Sequence, residues 1–125
     1  HIPFQPYDDI AHVFSLGDVG LIISKPNVGS NSVPSKTWSI MAAEKPLLAS
    51  CDKESELCKI IEENDCGLVA DAGDLDGFIE AVKKMYTDRE KAFLQGKNGK
   101  TFLMSEFDRD TCVKKYVETL EKVVK

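Results

Sequence analysis

Three short, nearly unbroken apolar runs constrain this chain more than any other feature: residues 19–23 (VGLII), 46–50 (PLLAS) and 67–70 (GLVA). A strand with one wet face alternates apolar and polar side chains, whereas a strand covered on both faces is apolar throughout, which is the pattern of parallel sheets. The stretches between the runs have helical spacing and the length that parallel crossovers require. The expected class is therefore α/β, a three-layer α/β/α arrangement around a parallel sheet, closed by C-terminal helices.

The segments between and after the strands read as follows. Pro6 opens a short helical pattern carrying Ile10, Val13 and Phe14, with Asp8 and Asp9 near its positive end. Residues 25–34 form a polar loop. Ser35, after Pro34, is the expected N-cap of a helix over residues 36–43 that carries Trp38, Ile40 and Met41. Asp52 is the expected cap of the next helix, whose buried stripe is Leu57, Cys58, Ile60 and Ile61. Asp74 caps a helix with Phe78, Ile79, Val82 and Met85, and Asp88 starts another, in which Gly96 and Gly99 predict a kink or fraying. From Asp108 or Asp110 onward, Val113, Tyr116, Val117, Leu120 and Val124 outline a last amphipathic helix.

At 125 residues the chain is expected to form a single domain, residues 1–125, with a real core. No apolar run reaches the roughly 20 residues a membrane helix needs, so no membrane contact is expected. A formal net charge of −5 argues against wrapping nucleic acid by bulk electrostatics. Cys51, Cys58, Cys66 and Cys112 lack C-x-x-C spacing and read as free thiols of a cytoplasmic protein. The opening residues, HIPFQPYDD, look like the interior of a longer polypeptide, so the chain is expected to be a piece of one.

No nucleophile system is legible, since His1 is terminal and His12 sits on a surface helix beside Asp8. The pairs Asp71/Asp74 and Asp108/Asp110 read as caps and turns rather than metal ligands, so neither a metal nor a cofactor is expected. Gly17 and Gly20 precede a strand instead of following one, so they are turn residues and not a dinucleotide loop. Trp38 fits either a packed core or a ring that stacks on a base, with core favoured.

What remains is the loop from Lys25 to Ser35. In open α/β sheets, ligands bind outside the carboxyl ends of the strands, and this loop follows the first strand directly. Gly29, Ser30, Asn31 and Ser32 are small and polar, and the loop ends at a helix start whose amides at Ser35, Lys36 and Thr37 are orphan donors. Two readings stand at this point: an ordinary capped helix, and a phosphate site with Lys36 in the first turn.

A family resemblance bears on the choice. Read in order, FQPYDDIAHVFSLGDVGLIISKP, NSVPSKTWSIMAAEKPLLAS and DCGLVADAGDLDGFIEAV resemble the donor-binding half of retaining glycosyltransferases of the GT-B fold, family four. The likeness is to bacterial sugar transferases of the colanic-acid and capsule type. It runs from Phe4 to about Tyr86, and VPSKTWSIMAAEKP is its most specific part. The resemblance implies a Rossmann-like donor domain that grips a nucleotide-diphosphate sugar, with phosphate contacts from Ser35, Lys36 and Thr37. It places Asn31, its neighbour Ser32, and Ser39 on the donor as well. Asn31 and Ser39 stand where the wider family has two glutamates with seven residues between them, and Glu44 stands where a glycine is expected after the alanine pair. The family also implies an N-terminal acceptor domain as partner, a cytoplasmic setting for cell-surface polysaccharide synthesis, and no activity for this piece alone.

The rival class is a flavodoxin-like or receiver-type interaction module without catalysis. A receiver needs an Asp at a strand end and a Lys on a later strand, but Asp18 precedes its strand and Lys36 lies on a helix.

Overall fold

The computed structural model describes residues 3–28 and 32–124. A single 3-10 turn, Tyr7–Asp9, leads into α1 (Ile10–Leu16), and β1 (Gly20–Ile23), α2 (Lys36–Ala42), β2 (Leu47–Cys51), α3 (Glu56–Glu63) and β3 (Gly67–Asp71) follow. Three helices complete the chain: α4 (Leu75–Thr87), α5 (Arg89–Glu106) and α6 (Arg109–Val124). The strands are parallel in the order β1-β2-β3, with Leu21 opposite Leu48 and Leu48 opposite Leu68. The fold is the expected three-layer α/β/α arrangement.

The central strand explains the layers. All five residues of β2 are buried, so both of its faces need apolar cover. On one face Leu47, Ala49 and Cys51 join Ile22, Ile40, Met41, Leu57 and Ile61, which come from β1, α2 and α3. On the other, Leu48 packs with Ala81 and Met85 of α4, flanked by Val19, Leu68 and Phe78. β1 departs from expectation here. Ile22 is buried against α2, but Leu21 and Ile23 are 54% and 67% exposed, because α4 lies over β2 and β3 and does not reach the edge strand. The apolar run over 19–23 signalled two covered faces, and the described residues supply one.

Two caps differ from the sequence reading. Ser35 is already helical (φ −57, ψ −28) and its side chain caps nothing, while the Thr37 amide donates to the Pro34 carbonyl at 2.9 Å. A tight turn through Pro34 thus replaces a side-chain cap. In α3 the cap is Ser55, whose Oγ accepts from the Cys58 amide at 3.2 Å, and not Asp52. Asp74 and Asp88 cap α4 and α5 as expected.

The helix ends follow one rule. α2 and α3 both close with a residue in the left-handed region, Glu44 (φ 55) and Asp65 (φ 40). In each, the next amide reaches back into the last turn: Lys45 donates to Ile40 at 3.2 Å and Cys66 to Ile61 at 3.1 Å. This is the Schellman closure, for which glycine is the usual residue. The strain of two non-glycine residues there, on the order of 1 kcal/mol each, is offset by α5. Lys100 Nζ donates to Glu44 Oε1 at 2.7 Å, Gln95 Nε2 to Asp65 Oδ1 at 2.8 Å and to the Gly67 carbonyl at 3.1 Å, and Asn98 Nδ2 to the Asp65 carbonyl at 3.0 Å.

The same contact explains why α5 is unbroken. Instead of kinking at Gly96 and Gly99, the helix runs through both, and both glycines are buried. A Cβ on Gly96 would overlap the Glu44 carbonyl, and one on Gly99 would press on Met41 and Cys66. The glycines permit close approach, which outweighs their poor helix propensity. Gly96→Ala is therefore expected to lower unfolding stability by about 1–3 kcal/mol through overpacking, despite the better propensity of alanine. Urea denaturation reads the sign, and a stabilised variant would show that α5 does not lie against the α2–β2 turn.

Candidate functional site

The carboxyl edge of the sheet carries the connections that follow the three strands. Ser24 continues from β1 and donates its amide to the Ser50 carbonyl at 2.8 Å. The loop then turns through Asn27, in the left-handed region (φ 62), whose amide donates to Asp52 Oδ1 at 3.1 Å. The Ala72 amide donates to the Cys51 carbonyl at 3.1 Å, which ties the end of β3 to that of β2. The acidic side chains here serve the loops: Asp71 accepts from the Ala72 amide and Asp74 from the Gly77 amide. Among the described residues no group of three or more His, Cys, Asp or Glu side chains is arranged to hold a metal.

α2 starts at this edge, beside β1. Of the residues singled out in the sequence, Ser32 and Ser35 are exposed, Lys36 is exposed, Thr37 is buried and Ser39 is half-buried; Asn31 lies outside the described residues. Ser35, Lys36 and Thr37 are thus brought together in one turn at the carboxyl edge, and Ser39 lies one turn further along. Lys36 borders a cavity of about 200 Å³ with Val13, Phe14, Leu21 and Ile40, on the outer flank of β1. With its amide engaged by Pro34, Thr37 offers its hydroxyl. That oxygen is fully buried and has no hydrogen-bond partner among the described residues. An unmatched buried hydroxyl is costly, about 1–3 kcal/mol, and the sequence alone could not show it, because burial of the first turn depends on how α2 packs.

Trp38 belongs to the packing. Its ring stacks on Phe107 with centroids 4.6 Å apart, and Phe102 meets Phe107 edge-on at 5.5 Å, so the indole joins α2 to the α5–α6 junction. Lys36 stands on a helix and not on a strand, so the lysine geometry of a receiver is absent at this position. A larger cavity of about 540 Å³ lies at the opposite, amino edge among Val19, Pro46, Leu48, Met85, Tyr86 and Phe93. Its walls are mostly apolar, and it is remote from the edge where open parallel sheets place ligands.

The thiols are structural. Cys51, Cys58 and Cys66 are free and buried, and Cys112 is free and exposed. Burial pushes the Cys51 thiol up, and it raises Cys58 and Cys66 from an ordinary 9.0 to about 11. Thiols held protonated this way are poor nucleophiles.

Comparison with known proteins adds one relative. Over 50 residues, 40% of this chain, the sequence is 40% identical to the probable glycosyltransferase WbjE of Pseudomonas aeruginosa, and the match covers 12% of that protein. No protein-family model matches the chain, and no solved structure matches it. Over that stretch the chain is related to a protein described as a glycosyltransferase. Among the described residues, no helix is long and apolar enough to cross a membrane.

The raised thiols give a pH prediction. A thiol is neutral when protonated, so a folded-state value above the unfolded one means that the native state keeps its proton longer. The resulting stabilisation is complete below pH 9.0 and is lost as pH rises toward about 11. Thiolate absorbance of the native chain should show Cys58 and Cys66 ionising near pH 11, as the denaturation midpoint falls between pH 9.0 and about 11. Ionisation of Cys58 and Cys66 near pH 9.0 in the native state would contradict the burial that raises these two groups.

Proposed function

We propose that this chain is the donor-nucleotide-binding part of a glycosyltransferase, resembling the GT-B enzymes of family four. The parent enzyme transfers a sugar from a nucleotide-diphosphate sugar to a glycan or lipid-linked acceptor in cell-surface polysaccharide synthesis, with the donor drawn from the cytoplasm. The observation that carries this reading is the start of α2 at the carboxyl edge of a parallel sheet, immediately after a small polar loop. The relationship to a probable glycosyltransferase supports it.

In this reading the diphosphate lies against the amides of Ser35 and Lys36, where the first turn has no preceding carbonyls to satisfy its donors. Lys36 reaches it as a point charge, and the buried Thr37 hydroxyl finds its missing partner in a phosphate oxygen. Asn31, Ser32 and Ser39 complete the contacts on the sugar and ribose side. Binding rather than turnover is expected of these 125 residues alone. Retaining transfer depends on positive groups around the departing diphosphate, and an acceptor domain supplies the other wall of the cleft.

The test is a titration of the chain with uridine, guanosine and cytidine diphosphates, followed through backbone amide shifts. Perturbations confined to residues 24–39 are expected for at least one nucleotide. Lys36→Ala should weaken that binding by about 10- to 100-fold, the 1.5–3 kcal/mol of a charge-assisted contact. Shifts centred on the amino-edge cavity, or equal affinity in the variant, would remove the diphosphate from α2.

A further inference from the structure

The connection that follows β1 is tied to both neighbouring connections before it turns back to α2. Its first residue, Ser24, donates its amide to the Ser50 carbonyl of β2 at 2.8 Å. Pro26 then lies against the β3–α4 connection, its Cγ 3.4 Å from where a Cβ on Gly73 would stand. Asn27 takes the left-handed conformation (φ 62), which asparagine tolerates better than most residues, and its amide donates to Asp52 Oδ1 at 3.1 Å. Asp52, freed from the capping role that Ser55 fills, is a firm anchor. Its carbonyl accepts from the Ser55 amide at 2.9 Å, and Ser55 is 1% exposed and caps α3. The carboxylate thus stands on a turn that the core fixes, whereas Asn27 stands on an exposed loop. Water would satisfy a free Asn27 amide, so burial does not demand this bond. What the bond fixes is direction: the chain after Asn27 has to return to Ser32 and the Pro34 turn, and the tether sets the point from which it does so.

We infer that Asp52 is a positioning residue for the donor: its carboxylate holds the β1–α2 loop over the carboxyl edge, so that the loop enters α2 along a course that leaves the Ser35 and Lys36 amides open to a diphosphate. The inference rests on the donor site proposed above. Asp52 acts through Asn27 and not on the ligand, since a carboxylate facing a diphosphate repels it. A tethered loop is pre-organised for binding. Without the tether the competent course is populated for only part of the time, and the apparent dissociation constant rises by the inverse of that fraction.

Asp52→Ala and Asp52→Asn, compared with the unaltered chain, test this in the titration with uridine, guanosine and cytidine diphosphates and in hydrogen exchange at the Asn27 amide. Asparagine keeps the acceptor oxygen and removes the charge. Asp52→Ala is expected to speed Asn27 exchange about tenfold and to weaken the best-bound nucleotide about tenfold. Asp52→Asn is expected to leave both near their original values, and the urea midpoint should stay in place in both variants because the bond is exposed. Exchange is read without nucleotide, so the tether is tested by itself, and unchanged exchange in Asp52→Ala overturns the inference. Faster exchange with unchanged affinity also overturns it and leaves the donor site standing. Equal losses of affinity in the two variants overturn it as well, because the charge and not the hydrogen bond would then matter. A fall in the urea midpoint of Asp52→Ala that matches its loss of affinity makes Asp52 a residue of the fold alone. An unaltered chain that binds none of the three nucleotides removes the donor site, and this role of Asp52 with it.

Discussion

A parallel strand with no exposed side chain is the constraint on which the rest of the structure depends. β2 cannot be wet on either face, so α2 and α3 must lie on one side and α4 on the other. That requirement puts the start of α2 at the carboxyl edge, because a right-handed crossover from β1 to β2 enters its helix there. The candidate site is thus a by-product of burying Leu47, Leu48 and Ala49.

α5 holds this arrangement at its back. It crosses the C-terminal turns of α2 and α3, where Glu44 and Asp65 occupy a backbone region that normally favours glycine. Gln95, Asn98 and Lys100 supply the hydrogen bonds that secure those turns, and Gly96 and Gly99 let the helix come close enough to make them. The exposed Glu44–Lys100 pair contributes little by itself in water. Its carboxylate is held below the ordinary range by the Lys100 hydrogen bond and charge. The steric fit at Gly96 does more, since it fixes the distance between α5 and the α2–β2 turn and so the seat of α2.

The surface divides by how well it is covered. Apolar side chains remain open on β1 at Leu21 and Ile23 and along the whole of α6, whereas the faces of β2 and α3 are sealed.

The sequence by itself determined the order of the elements and the parallel sheet, because apolar runs and helical spacing are local signals of burial. It also indicated the caps at Asp74 and Asp88, and the placement of Ser35, Lys36 and Thr37 at a helix start on the carboxyl edge, since the alternation of strands and helices dictates where loops emerge. Only the tertiary structure decided matters that depend on contacts between distant segments. It showed that Gly96 and Gly99 are approach points and not breaks, that Ser55 caps where Asp52 was expected, and that β1 has an open face. The helix start was the hardest case. A serine after a proline looks like an N-cap in sequence, but the Pro34 turn consumes the Thr37 amide and packing buries the Thr37 hydroxyl without a partner. Burial and hydrogen-bond satisfaction are properties of the assembled layers, and no local pattern encodes them.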